Sequence, residues 1–294
     1  MQNSKVAIVG AGKVGSVLAR ALYSHGYQLV GIVSRTLESA HQLAEQFVVA
    51  AGTTESPIVQ NAQIVFITTP DRCIAEIVGQ IANNNGFYPG QVVIHTSGCL
   101  PVEILKPASD HGAFIGCMHP LQSFANKDVA GENLAGVYFA LSGQVQTVEQ
   151  AEKIVKVFGG KSFTMLDKDK ALYHAAACIV SNYTASLMHW ASQIYGRFGL
   201  SSEESSAALL PLLQGTVNNI REMGPTQGLT GPISRGDDIT VNAHIGVLEN
   251  QMEKRLYKEL GLYTLGVALE KGTIDDQQAA ILIKILKNSN KEEI

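Results

Sequence analysis

Apolar positions along the first half of the chain fall in short, nearly continuous runs separated by glycine-rich breaks and helix-period segments. "KVAIVGAGKVGSVLARAL" reads as a buried strand, a glycine turn and a helix, and "YQLVGIVSRT" supplies a second short apolar strand after it. Further strands are predicted at "AQIVFITTP", "QVVIHTSG", "AFIGCMHP", "GVYFALSG" and "KSFTML", with helix-like segments interleaved among them. This alternation predicts an α/β fold built on a mostly parallel, doubly wound sheet. From about Asp167 the strands stop, and three long helical patterns follow: "KDKALYHAAACIVSNYTASLMHWASQIYGRFG", "SSEESSAALLPLLQGTVNNIREM" and "DDITVNAHIGVLENQMEKRLYKELGLYTLGVALEKG". Two domains are expected, 1–165 and 166–294, with a loose, solvated Lys- and Glu-rich tail after Lys287.

Composition narrows the partners. At 294 residues and 46% hydrophobic, the chain can bury a large core and is long enough for two domains. A net charge of −4 gives no broad attraction to nucleic acid, and the remaining expectation is a small-molecule ligand. Cys73, Cys99, Cys117 and Cys178 show no CxxC spacing, so they read as reduced thiols, and no metal site follows from them. The absence of a leader-like start and of any apolar run near the roughly twenty residues of a membrane span places the expected location in the cytosol.

Gly10, Gly12 and Gly15 form GxGxxG between strand and helix, where a tight turn, close approach to a pyrophosphate and close helix packing each call for glycine. The 1–165 half is therefore expected to bind a dinucleotide, with Lys13 and Val14 opening the helix that carries it. An NAD site wants an acidic residue at the end of the second strand. Here that strand ends "VSRT", and Ser34 and Arg35 offer a hydroxyl and a guanidinium to a 2′-phosphate, which predicts NADP(H). Ligands in such sheets lie beyond the carboxyl ends of the strands, so "TTPD" (Thr68, Thr69, Pro70, Asp71) and "HTSG", with Ser97, are expected along the cofactor path.

Candidate chemistry gathers in the second half. In "DKDKALYHAAACIVSNY", steps of four, four and three put Lys170, His174, Cys178 and Ser181 on one helical stripe, with Asn182 about 80° round from His174. Hydride transfer to a carbonyl needs a proton donor, for which His174 or Lys170 is available, and an orienting polar group, for which Asn182 or Ser181 serves. The plainer alternative makes Lys170 a surface charge and His174 a core histidine. His119, in "CMHPLQSF", ends a strand where polar side chains can face a cleft, with Gln122 and Ser123 as weaker neighbours. In "LTGPISRGDD", Gly231 and Gly236 permit unusual backbone angles and Asp237 is a natural cap for a long following helix. There Thr230 and Arg235 offer a hydroxyl and a fork for a substrate carboxylate. The alternative is a capped loop whose Arg235 pairs with Asp238.

The glycine motif with "SR", then "HPLQSF", "YHAAACIVSNY" and "LTGPISRGD", resembles a bacterial family in the 6-phosphogluconate dehydrogenase superfamily. That family joins a Rossmann-like domain to a helical domain long labelled as of unknown function. The helical half is also similar to that of pyrroline-5-carboxylate reductases. The closer family includes alternative ketopantoate reductases, so the resemblance implies an NADP-dependent oxidoreductase reducing a small 2-oxo acid, ketopantoate (2-dehydropantoate) among the candidates. Related hydroxyacid dehydrogenases carry Lys followed four residues later by Asn on this helix; here the spacing gives Lys170 and His174, which leaves the donor open between them. Imine reduction and non-catalytic NADP sensing are the alternatives, and the long apolar helices predict a homodimer formed through 166–294.

Overall fold

The computed structural model describes residues 4–54, 57–124 and 134–287, so the tail expected after Lys287 lies outside the described residues. The first unit is an α/β sandwich. Its chain order begins β1 (Lys5–Val9), α1 (Lys13–Ser24), β2 (Gln28–Val33), α2 (Leu37–Ala44), β3 (Ala50–Gly52), β4 (Ile64–Ile67), α3 (Asp71–Asn83) and β5 (Val92–His95). It continues through a short α4 (Lys106–Ser109), β6 (Phe114–Pro120), β7 (Tyr138–Gly143), α5 (Val145–Val157) and β8 (Lys161–Thr164).

The eight strands form one sheet in the order β3-β2-β1-β4-β5-β6-β7-β8. The pairing is parallel except between β6 and β7. This is the doubly wound arrangement expected, and the first six strands follow the order of dinucleotide-binding sheets. The central strands are buried on both faces, as parallel strands covered by helices must be: Ile64, Val65, Phe66 and Ile67 are all inside. One cluster, with Val6, Ile8, Leu18, Leu22 and Phe66, fills the α1–α2–α5 side; a second, with Val65, Ile67, Ile74, Val78 and Leu105, fills the α3 side.

Strand β3 was not predicted. Its sequence is Ala-Ala-Gly, with no β-branched or aromatic residue to mark it, and its pairing with Gly31–Val33 defines it instead.

After β8 the chain is helical. It runs through α6 (Lys170–Cys178), one π turn (Ile179–Tyr183), α7 (Thr184–Gly196), α8 (Ser202–Gln227), α9 (Asp238–Val247), α10 (Gln251–Lys271) and α11 (Asp276–Lys287). The chain forms two compact units, Met1–Thr184 and Ala185–Ile294, so α6 groups with the sheet although the strands end near 165 as expected. The third long helical pattern is interrupted: α9 stops at Val247, and Asn250 opens α10 by accepting from the amides of Met252 and Glu253. The second unit has its own small core of Ile233, Val241, Leu265, Ala268, Leu282 and Leu286. Among the described residues, no helix is long and apolar enough to cross a membrane.

Candidate active site

The glycine turn has the geometry its three positions require. Gly10 sits at φ +122°, where a side chain would be strained and its Cβ would lie 2.8 Å from Thr68. A Cβ on Gly15 would lie 1.9 Å from the Gly10 carbonyl oxygen, so that glycine lets α1 pack against the turn. Around Gly12, the cap of α1, a Cβ would meet nothing within 4 Å. The space above the helix N-terminus is therefore open on the side where backbone amides and the helix dipole favour an anion. Lys13, exposed, and Val14, half-buried, open that helix.

Thr68 is buried and locks this turn, its hydroxyl donating to the carbonyls of Gly10 (2.8 Å) and Val9 (3.2 Å). Thr69 follows at the carboxyl end of β4 with a buried, unpartnered Oγ1, and Pro70 caps α3. Ser97 is committed to its own turn: its hydroxyl donates to Asp71 Oδ2 (2.7 Å) and accepts from the amides of Cys99 and Leu100. Its contribution to a cofactor path is thus the shape of the backbone rather than a free hydroxyl. Ser34 and exposed Arg35 lie just past the end of β2, beside Thr36, which caps α2. The open ground at Gly12, the orphaned Thr69 hydroxyl and the exposed guanidinium of Arg35 fit a phosphorylated dinucleotide.

A cavity of about 560 Å³ lies where β6 ends against α6 and the π turn. His119, Gln122, Ser123, Tyr173, His174, Cys178, Ser181 and Asn182 supply its polar atoms, and Leu121, Ala176, Ala177 and Val180 its apolar wall. Thus His119 is brought together with His174, Ser181 and Asn182, which the sequence places on one helix. The two imidazoles converge over Gly98: a Cβ there would lie 2.7 Å from His174 Cδ2 and 2.9 Å from His119 Nε2. Their ring centroids are 6.0 Å apart, edge to face. His174 Nδ1 meets the Cys178 thiol at 3.8 Å.

Lys170 does not line this cavity. It is wholly buried one turn below His174, near Cys117, with its Nζ unpartnered, which corrects the expectation of a surface charge. The 3.6-residue stripe put Lys170 and His174 on one face, but Lys170 is buried near His95 and Cys117 while His174 lines the cavity. Burial of the Cys117 thiol pushes it up, against the pull of the Lys170 charge. His95 is driven down to about 3, first by burial and then by Lys170 and His119. His119 is driven down to about 4, by burial first, then by His174 and Lys170, with Asp71 opposing. Both imidazoles are neutral near pH 7.

Tyr173 is the site residue that the sequence did not single out. Its hydroxyl lies 2.7 Å from His119 Nδ1, and its ring packs edge-on against His119 and Phe163. The signal available was its place next to His174, but a lone tyrosine in an apolar helix reads as core.

In the second unit, Gly231 (φ +99°) and Gly236 (φ +69°) adopt the unusual backbone expected, and Asp237 caps α9 by accepting from the Thr240 amide (3.0 Å) and hydroxyl (2.8 Å). These bonds hold its carboxyl below the usual range, helped by nearby Arg235. Arg235 and Thr230 are exposed, and Ser234 is buried against Thr273 (3.4 Å).

Two family models match the chain, and the second begins inside the first compact unit. Residues 1–120 match the Rossmann-like domain, and residues 137–264 match a domain of unknown function, DUF2520. Among solved structures, protein TM1727 from Thermotoga maritima is 27% identical with a TM-score of 0.72, covering 91% of this chain and 99% of that one. A Bacteroides fragilis protein provisionally assigned as an NADP oxidoreductase is 22% identical with a TM-score of 0.73, covering 90% and 99%. The 1-pyrroline-5-carboxylate reductase of Streptococcus pyogenes shares the fold at 14% identity and a TM-score of 0.58, covering 97% and 100%. Curated relatives match over short stretches. The glutamyl-tRNA reductase of Geobacillus thermodenitrificans is 49% identical over 47 residues, 16% of this chain and 10% of that one, so the chain spans about a tenth of its length. The chain therefore joins a Rossmann-like domain over residues 1–120 to a DUF2520 domain over residues 137–264.

Proposed function

We propose that the protein is an NADP-dependent reductase of a small 2-oxo acid, with ketopantoate the named candidate, acting as a homodimer. The observation that carries this reading is the convergence of His119 and His174 over Gly98, in a cavity that also holds Ser181 and Asn182, next to strand ends that fit a dinucleotide. When bound, NADPH supplies the hydride. His174 donates the proton that the reduced oxygen requires, because it faces the cavity whereas Lys170 does not. His119 gives the same oxygen a hydrogen-bond partner, and Asn182 and Ser181 orient it. The apolar wall of Ala176, Ala177 and Val180 takes the alkyl part and keeps water from the reacting carbon.

Imine reduction is the second reading, favoured by the fold shared with imine reductases such as that from Pseudomonas sp., 16% identical with a TM-score of 0.57. NADPH oxidation across a panel of 2-oxo acids and cyclic imines separates the readings. Turnover of a 2-oxo acid, abolished in His174→Ala, is the expected result. Cofactor binding with no turnover of any substrate would instead mark an NADP sensor. Arg35→Ala should weaken NADPH binding by about 1.5 to 3 kcal/mol, the scale of a hydrogen bond to a charged group, and leave NADH binding nearly unchanged.

A further inference from the structure

Tyr173 and His119 form a pair whose hydrogen can lie in only two places. Either the phenol donates to Nδ1, which leaves the imidazole proton on Nε2, or Nδ1–H donates to the phenol oxygen. Both groups are neutral near pH 7: burial pushes the Tyr173 phenol up to about 12, and His119 sits down at about 4. In the second arrangement the phenolic hydrogen has no protein acceptor among the described residues and must turn to solvent. In the first, every hydrogen is used, and Nε2–H stands over Gly98 at the cavity. The phenol is held for this task by its edge contacts with Phe163 and His119.

We infer that Tyr173 is a positioning residue that fixes His119 as an Nε2–H donor, so that this cavity is built for an acceptor, a carbonyl oxygen, and not for an iminium nitrogen. An iminium nitrogen still carrying its hydrogen needs an acceptor, which an Nε2–H donor does not supply, and the described lining offers no Asp or Glu to balance its charge. The assignment rests on the reductase reading for its chemistry, but its structural half stands apart from turnover.

The test uses the full chain labelled with 15N-histidine, in two-bond nitrogen–proton correlation spectra at pH 7.5, with His119→Gln to assign the signals. His119 is expected in the Nε2–H form, and Tyr173→Phe, which keeps the ring and its packing, should shift it toward a mixture of tautomers. An Nδ1–H form in the wild type, or a tautomer indifferent to Tyr173→Phe, would overturn the assignment whether or not any substrate turns over. With turnover in hand, Tyr173→Phe should lower kcat on a 2-oxo acid about tenfold or more. NADPH KM should stay fixed, and turnover of a preformed cyclic iminium should change much less. Equal losses on both substrates would sink the carbonyl preference while leaving the tautomer result intact.

Discussion

Two glycines three residues apart make opposite demands on a methyl group. On Gly15 a Cβ would collide with the Gly10 carbonyl, a backbone atom that cannot move aside, whereas on Gly12 it would project into open space. Gly15→Ala is therefore expected to lower the melting temperature by several degrees, through displacement of α1 from the sheet. Gly12→Ala should melt as the wild type does, or slightly higher because the unfolded chain loses freedom. Its defect should be in NADPH affinity, since the new methyl occupies the ground a pyrophosphate needs. Thermal melts and cofactor titrations of both variants check this, and a Gly12→Ala protein with unchanged NADPH affinity would remove the pyrophosphate from that turn. The motif announced all three glycines, but the backbone geometry distinguishes Gly10 and Gly15, which a Cβ would crowd, from Gly12, which faces open space.

Elements were legible where the periodic signal was long and the local chemistry specific. Six of the strands could be read from nearly continuous apolar runs, because burial leaves little choice of residue, whereas β8, also read from the sequence, is exposed along its whole length. The eighth, β3, has nothing in Ala50, Ala51 and Gly52 to distinguish it from a turn. The helix that carries His174 was legible too, but a 3.6-residue wheel does not anticipate the π turn at Ile179–Tyr183. That turn adds a residue to one loop of the helix and so resets the direction of Ser181 and Asn182 relative to His174. Nor did the wheel show that Lys170 is buried, a tertiary fact with no local signature. Caps fared better. Asp237 was recognisable because an Asp after glycines and before an apolar run has few other uses, and it caps α9 through Thr240. Asp237→Ala should lower the melting temperature with kinetics nearly intact. Arg235→Ala should do the reverse if the turn holds a substrate carboxylate, because the exposed guanidinium supports little structure. Melting curves and kcat/KM for both variants decide, and a normal kcat/KM for Arg235→Ala would leave the turn as a cap alone.

At the scale of the whole molecule, the buried histidines couple stability to pH. His95 titrates at about 6.5 when unfolded but only near 3 when folded, and His119 near 4. Their neutral burial is fully compatible with folding above pH 6.5 and is penalised as pH falls toward 4, where the unfolded chain takes up protons that the folded one refuses. Each contributes up to about 1.4 kcal/mol of lost stability per pH unit in that window. Urea denaturation at pH 7 and pH 5 should show the loss, and His95→Asn should reduce it; an equal slope in the variant would mean other groups carry the acid sensitivity.

The helical unit makes a different demand on the whole molecule. Over the 26 residues of α8, Ser205 and Leu209 are buried, while Leu210, Leu212, Val217, Ile220 and Met223 are exposed; α10 likewise exposes Met252, Leu256, Leu260 and Tyr263. Each exposed aliphatic side chain covered by a partner contributes roughly 1.5 to 3 kcal/mol, so a handful on each copy is enough to hold two chains together against the entropy of association. A second copy is the economical cover, because a two-fold interface lets one helix face serve both sides. Light scattering on a sizing column should give twice the 31.4 kDa of one chain. Leu212→Asp combined with Ile220→Asp places charges in the face and should yield a monomer with its helical circular dichroism retained. A wild-type protein that runs as a monomer at micromolar concentration would refute the dimer. A double variant that stays dimeric would move the interface off α8, to the apolar face of α10 around Leu256 and Leu260.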